Sequence, residues 1–247
     1  EILRESIILP LFYFVGNVQH DKKELANRIR TGMLISLTVY ALLSAVVFVF
    51  AKQLLALMAA DTTIIAASTS YIRIESIANI FAILSQFALV ALVTLNKGKY
   101  LYMLTGVRLI LCLAADTLLL SNLPISANLG VNGIAYSNII VNALLLVVSL
   151  ALLAKEEIKA FAKTKLDFSW AKEFVKVGGI SGVESLVRNA AYMVMIARMV
   201  NVVGEQGTYW VANNFIWGWL LLPVLQLGEL IKQEVAADKE NIRKNTM

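Results

Sequence analysis

The chain has little of what soluble enzymes and metalloproteins depend on. Its 247 residues include one cysteine, one histidine and three prolines, and only 16% of them are charged. Cys112 has no partner for an internal disulfide, and His20 alone does not make a metal site, so we expect neither a metal nor an organic cofactor. The sequence also lacks a Gly-x-Ser-x-Gly elbow, a His-Glu-x-x-His pair and a Walker loop. These absences argue against an enzyme and against work driven by ATP.

Apolar residues, in contrast, are abundant: they make up 59% of the chain, and the mean hydropathy is +0.72. Too little polar surface remains to solvate a globular chain of this size, so the apolar surface must face lipid. Because a spanning helix needs about 20 mainly apolar residues, hydropathy predicts an all-α polytopic transmembrane helix bundle. A helix that ends near Asn17 precedes six complete predicted spans, at residues 32–58, 72–95, 100–122, 131–154, 175–201 and 208–235.

The positive charges alternate between successive connections. Lys and Arg collect in residues 20–30, 96–99 and 155–176, whereas 59–71, 121–130 and 201–207 contain neither. By the positive-inside rule the basic connections are cytoplasmic, and we expect a multi-pass protein of the cell membrane. The basic charge is thereby explained without a nucleic-acid partner. The longest basic connection suits either an amphipathic helix on the anionic inner leaflet or a solvated linker helix.

Ionisable residues inside predicted spans are the first candidates for a site, because charge at the bilayer centre is costly. In the fifth span Glu184 and Arg188 stand at i,i+4 and can pair, and Asn189 follows them. Such a pair can exchange its partner for a proton, a cation or a charged substrate, or it can be an ion pair that only stabilises the bundle. Glu75 and Asp116 lie on polar stripes of the second and third spans, and the fourth span has a similar stripe. These stripes either surround a wet interior or simply pack against one another.

A second group of candidates lies in the sixth span. Asn213, Asn214 and Trp217 fall on one helical face and form a stripe of amides and an indole. Indole faces attract positive charge and amides donate and accept hydrogen bonds, so the stripe suits a cavity for flat organic cations. The same residues would equally suit hydrogen bonding between helices and the interfacial aromatic belt.

Several segments resemble one family of membrane proteins. Val175-Lys176-Val177-Gly178-Gly179, which leads to Glu184, and Val211-Ala212-Asn213-Asn214-Phe215 are similar to the seventh and eighth helices of the multidrug and toxic compound extrusion (MATE) family. Gly130-Val131-Asn132-Gly133-Ile134-Ala135 resembles the Gly-x-x-Gly-Ala-Ala entry to that family's sixth helix. The resemblance extends from the end of the second helix through the eighth.

The resemblance implies a two-lobe transporter of twelve helices. Residues 1–154 would be the N-terminal lobe without its first helix, 155–174 a cytoplasmic linker between the lobes, and 175–247 the start of the C-terminal lobe. The remainder of the same polypeptide, the first helix and the last four, would be a partner of the chain, along with membrane lipids and small-molecule substrates.

The function that the resemblance implies is secondary active export of amphipathic or cationic organic compounds in exchange for sodium ions or protons. Arg188 stands where several members have a cation-binding acid, and Glu184 lies one turn earlier, which leaves the coupling ion open. A flippase for lipid-linked saccharides, which shares the architecture, is one alternative. A membrane-embedded enzyme that modifies lipids is another, although the sequence shows no nucleophile or metal site for it.

Overall fold

The computed structural model is built from helices. Within the described residues there are seven α-helices, one π-helical turn at Ile216–Leu220 and no strand. The helices are α1 (Ile2–Gly16), α2 (Lys22–Leu57), α3 (Thr62–Thr94), α4 (Lys99–Leu119), α5 (Val131–Lys155), α6 (Ala171–Val200) and α7 (Gln206–Phe215). The secondary structure is described for residues 2–18, 21–57, 62–94, 99–156, 158, 166–200, 206–221, 223–224 and 227.

Four helices in the described part of the chain are long and apolar enough to cross a membrane. They cover Lys22–Ala56, Ile65–Val93, Lys99–Leu119 and Val131–Lys155. Large apolar side chains stay exposed along α2 and α4, as expected of surfaces that face lipid. The predicted all-α polytopic membrane bundle is therefore confirmed. The predicted fifth span corresponds to α6, which is not one of the four, and the sixth lies partly outside the described residues.

Contacts divide the chain into two compact units. Unit 1 comprises residues 1–16 and 175–247, and unit 2 comprises residues 17–174. Unit 2 thus contains α2 to α5 with the first turn of α6, and unit 1 contains α1, the rest of α6 and α7. The predicted lobes and linker stay a prediction.

In unit 2, α2 begins earlier than hydropathy predicts. Residues 22–30, predicted as part of a polar connection, form its first turns. Asp21 caps this end, because its carboxylate accepts hydrogen bonds from the main-chain N–H groups of Lys23 (2.9 Å) and Glu24 (3.2 Å). Arg28 then pairs with Glu24 one turn away, at 2.8 Å. Hydropathy locates the apolar part of a helix and not the capped polar turns beyond it.

The end of the predicted linker is bound to α2 within unit 2. Asn27 donates to the main-chain oxygen of Asp167 at 2.9 Å and accepts from its N–H at 3.0 Å. The indole of the buried Trp170 donates to the Thr31 hydroxyl at 2.9 Å. The predicted amphipathic helix of the linker falls mostly on residues outside the described ones, but Ile158, one of its apolar residues, is buried in unit 2.

Two glycines explain how α4 and α5 come together. Gly130, with φ of +57°, precedes α5 in a left-handed conformation that residues with a Cβ seldom adopt. A Cβ at Gly133 would lie 3.0 Å from the main-chain oxygen of Leu119, so the start of α5 passes close to the end of α4. This is the Gly-x-x-Gly segment found in the sequence.

In unit 1, α1 and α6 pack through small residues. A Cβ at Gly178 would overlap the main-chain carbonyl oxygen of Ser6, and one at Gly182 would overlap the Ser6 hydroxyl oxygen. Gly179, between them, has open space around it. Such close approach through small residues is a common way for membrane helices to gain packing contacts where no hydrophobic effect drives them together.

We therefore predict that Gly178→Ala destabilises the α1–α6 contact, because the main chain of Ser6 cannot move aside as a side chain can. Overpacking of this kind costs about 1–3 kcal/mol, which should lower the melting temperature of the full-length protein in detergent. Gly179→Ala is the matched control and should melt like the wild type or slightly above it. Equal melting of the two variants would contradict the packing described.

Candidate functional site

The first candidate site joins α3 and α5 in unit 2. The amide nitrogen of Asn138, on α5, donates to both carboxylate oxygens of Glu75, on α3, at 3.2 and 3.0 Å. Both side chains are half-buried. Both helices are among the four that are able to span a membrane, so the pair places a carboxylate in a membrane-spanning segment with an amide as its described partner.

The next residue of α5 contacts an acid on another helix. The Ser137 hydroxyl donates to the Asp116 carboxylate on α4 at 2.7 Å. Ser137 is buried and Asp116 is exposed. One turn along α5, the buried Asn142 donates to the main-chain oxygen of Asn138 at 2.8 Å, which satisfies its amide within the helix. α5 therefore presents consecutive polar side chains to acids on α3 and α4.

The arginine closest to Glu75 in the sequence is directed elsewhere. Arg73 donates from Nε to the main-chain oxygen of Phe48, on α2, at 3.0 Å, and its guanidinium lies 5.4 Å from the centre of the Phe48 ring. Among the described residues no ion pair to Glu75 is found. Its charge is therefore not balanced by Arg73, which serves the contact between α2 and α3.

The second candidate site lies in unit 1 and contains the predicted pair of α6. Arg188 Nη1 is 4.0 Å from Glu184 Oε1, so the i,i+4 spacing does bring the two charges together. The hydrogen bond of Arg188, however, goes from Nη2 to Oε2 of Glu5, on α1. Asn189, next to Arg188, donates to the main-chain oxygen of Ser185 at 2.7 Å. Glu5 was not among the residues predicted from the sequence.

The amide and indole stripe falls on α7 and the π-helical turn. Asn213 is half-buried, whereas Asn214 and Trp217 are exposed. The turn is wider than an α-helical one, as the bond from the N–H of Leu221 to the oxygen of Ile216 (2.9 Å) shows. Such turns change the register of a helix and often occur at functional sites. Among the described residues no hydrogen bond links this stripe to Glu184 or Arg188, and its role stays a prediction.

No metal centre emerges from the described residues, which contain no group of three or more His, Cys, Asp or Glu side chains able to hold an ion.

Two hydrogen-bond partners of the predicted acids were not identified from the sequence. Asn138 lies on the polar stripe of the fourth predicted span, which is α5, and Ser137 precedes it. Their pairing with Glu75 and Asp116, however, depends on which helices are neighbours. Glu5 lies on a helix preceding the complete predicted spans.

Four long apolar helices, two of which are joined by a carboxylate–amide pair, define the class of protein: a multi-pass α-helical membrane protein. The comparison with protein families is more specific, because residues 18–118 match the family model MatE. This match agrees, over that part of the chain, with the resemblance of the sequence to the MATE family. It covers α2, α3 and nearly all of α4, whereas α5 to α7 lie outside it. Neither the comparison with curated proteins nor that with solved structures finds a match.

We predict that Asn138→Ala destabilises the protein, because Glu75 then loses both hydrogen bonds inside the bundle. Hydrogen bonds between membrane helices are worth about 1 kcal/mol, so a measurable fall in the melting temperature of the full-length protein in detergent is expected. Asn79→Ala is the control: Asn79 is exposed and bonds only its own helix, at the main-chain oxygen of Glu75. A loss no larger than that of the control would show that the Glu75–Asn138 contact adds nothing.

Proposed function

We propose that the protein is a secondary active antiporter that exports amphipathic or cationic organic compounds in exchange for protons or sodium ions. The observation that carries this proposal is the Glu75–Asn138 pair, a carboxylate in a membrane-spanning helix whose described partner is a neutral amide. The MatE match supports the wider class, membrane transport.

The physical reason lies in the cost of an unbalanced charge. An ionised carboxylate inside a membrane is expensive unless a cation neutralises it or a proton binds it. Asn138 contributes dipoles and no charge, so the pair leaves room for an exchangeable proton or small cation at the Glu75 oxygens. A carboxylate oxygen is also the kind of ligand that a hard cation takes.

Uptake and release of that ion can drive transport if it favours one conformation of the bundle. A ligand shifts a conformational equilibrium only by its differential affinity for the two states. We propose that Glu75 binds the ion in one state, and that the organic cation is bound in the other. The protein would lie in the cell membrane, with the basic connections in the cytoplasm, where anionic lipid attracts their lysines.

The test is gradient-driven transport by the full-length protein in proteoliposomes. Efflux of a fluorescent organic cation is followed under a sodium gradient at equal pH, and separately under a pH gradient without sodium. Glu75→Gln keeps the shape of the side chain and removes its charge. Glu173→Gln, the same chemical change at an exposed residue in the first turn of α6, is the matched control.

We predict that wild type and Glu173→Gln respond to one of the two gradients, and that Glu75→Gln loses that response by roughly tenfold or more, equivalent to at least about 1.4 kcal/mol. The gradient that drives transport identifies the coupling ion. Undiminished coupling in Glu75→Gln would show that Glu75 does not bind the coupling ion. No response of the wild type to either gradient would contradict the antiporter and favour a lipid-linked saccharide flippase.

A further inference from the structure

Arg188, in unit 1, lies between two carboxylates that are not equivalent. Its Nη2 donates to Glu5, whereas its Nη1 is 4.0 Å from Glu184, too far for a hydrogen bond. The Glu5 side chain is 24% exposed and the Glu184 side chain is 77% exposed. The better buried acid therefore takes the direct bond, and the more accessible acid is paired only weakly.

The packing of α1 against α6 accounts for this preference. Gly178 and Gly182 allow Ser6 to approach α6 closely, and Glu5 precedes Ser6 on the same turn of α1. Arg188 lies further along α6 on the side that reaches α1. A direct charge-assisted hydrogen bond is stronger than an exposed i,i+4 pair whose charged atoms are 4.0 Å apart, so the guanidinium should remain with Glu5.

Among the described residues, the ion pairs of this arrangement join one cation, Arg188, to two acids. With Arg188 bound to Glu5, the exposed carboxylate of Glu184 has no closer cation than the guanidinium at 4.0 Å in this part of the chain. We propose that Glu5 is a positioning residue: by holding Arg188 it keeps Glu184 free to bind an organic monocation. This inference rests on the proposed function only for the class of ligand.

The proposal makes a prediction that a structural role for Glu5 does not. In Glu5→Gln, Arg188 loses its partner and turns to Glu184, one helical turn away, where it competes with the ligand. Affinity for the monocation should then fall roughly tenfold, equivalent to about 1.4 kcal/mol. In the double variant Glu5→Gln with Arg188→Gln, no guanidinium is left to neutralise Glu184, so affinity should return close to that of the wild type.

The measurement is equilibrium binding of ethidium, a fluorescent monocation, to the full-length protein in detergent. Glu184→Gln should bind weakly whether or not Glu5 is changed. Melting temperatures of all variants show whether a loss of binding follows a loss of folding, and Glu173→Gln controls for removal of an exposed acid. Recovery of binding in the double variant is the result expected only if Arg188 acts on Glu184.

Three results would overturn the proposal: no ethidium binding by the wild type, unchanged affinity in Glu5→Gln, or no recovery in the double variant. Binding is measured without a gradient, so this outcome is separate from that of the transport test. A wild type that binds ethidium with the expected dependence on Glu5 but responds to no gradient would refute the antiporter and leave the role of Glu5 intact.

Discussion

Lipid offers no hydrogen bonds, so every polar side chain in a membrane-spanning helix needs a partner inside the bundle, and this constraint organises the structure. In unit 2 it is met by α5. Its consecutive residues Ser137 and Asn138 bind Asp116 on α4 and Glu75 on α3, while Asn142 bonds back to its own helix. The same helix thus joins its neighbours and gives each of two acids a neutral donor. Those donors reduce the cost of the acids without cancelling their charge.

Unit 1 is held together in a different way. Here small residues, Gly178 and Gly182, bring α6 against Ser6 of α1, and a full ion pair between Arg188 and Glu5 forms alongside. A paired charge is less available for exchange than a carboxylate held by an amide. The two units therefore differ in the chemistry that they offer: an acid with neutral partners in one, and an arginine that divides its contacts unequally between two acids in the other.

The existence and type of the helices were predictable, since long apolar runs in a chain of this composition have no other stable form. Their ends were not. α2 begins at Lys22 because Asp21 caps it, and α6 begins at Ala171, ahead of the predicted residue 175, after the Asn27–Asp167 bonds. Hydropathy does not detect capping residues, and it therefore misplaces the end of a helix whose last turns are polar.

The site was predictable only in part, because spacing along one helix can be read from the sequence and contacts between helices cannot. The i,i+4 relation of Glu184 and Arg188 is local, and the structure does bring the two together. Glu5 and Asn138 lie 183 and 63 residues away from their partners in the sequence. Which helices become neighbours cannot be read from the residue pattern of any one helix. Likewise, the sequence contains three glycines in this part of α6, but only packing distinguishes Gly178 and Gly182, which face α1, from Gly179.

The central claim is that Glu75 binds the coupling ion within the membrane. Infrared difference spectroscopy of the full-length protein, between low and high pH and between sodium-free and sodium-containing buffer, measures this directly through the carboxyl and carboxylate stretching bands. The account predicts a band change with pH or with sodium that is present in the wild type and absent from Glu75→Gln. Identical difference spectra for the two proteins would contradict it.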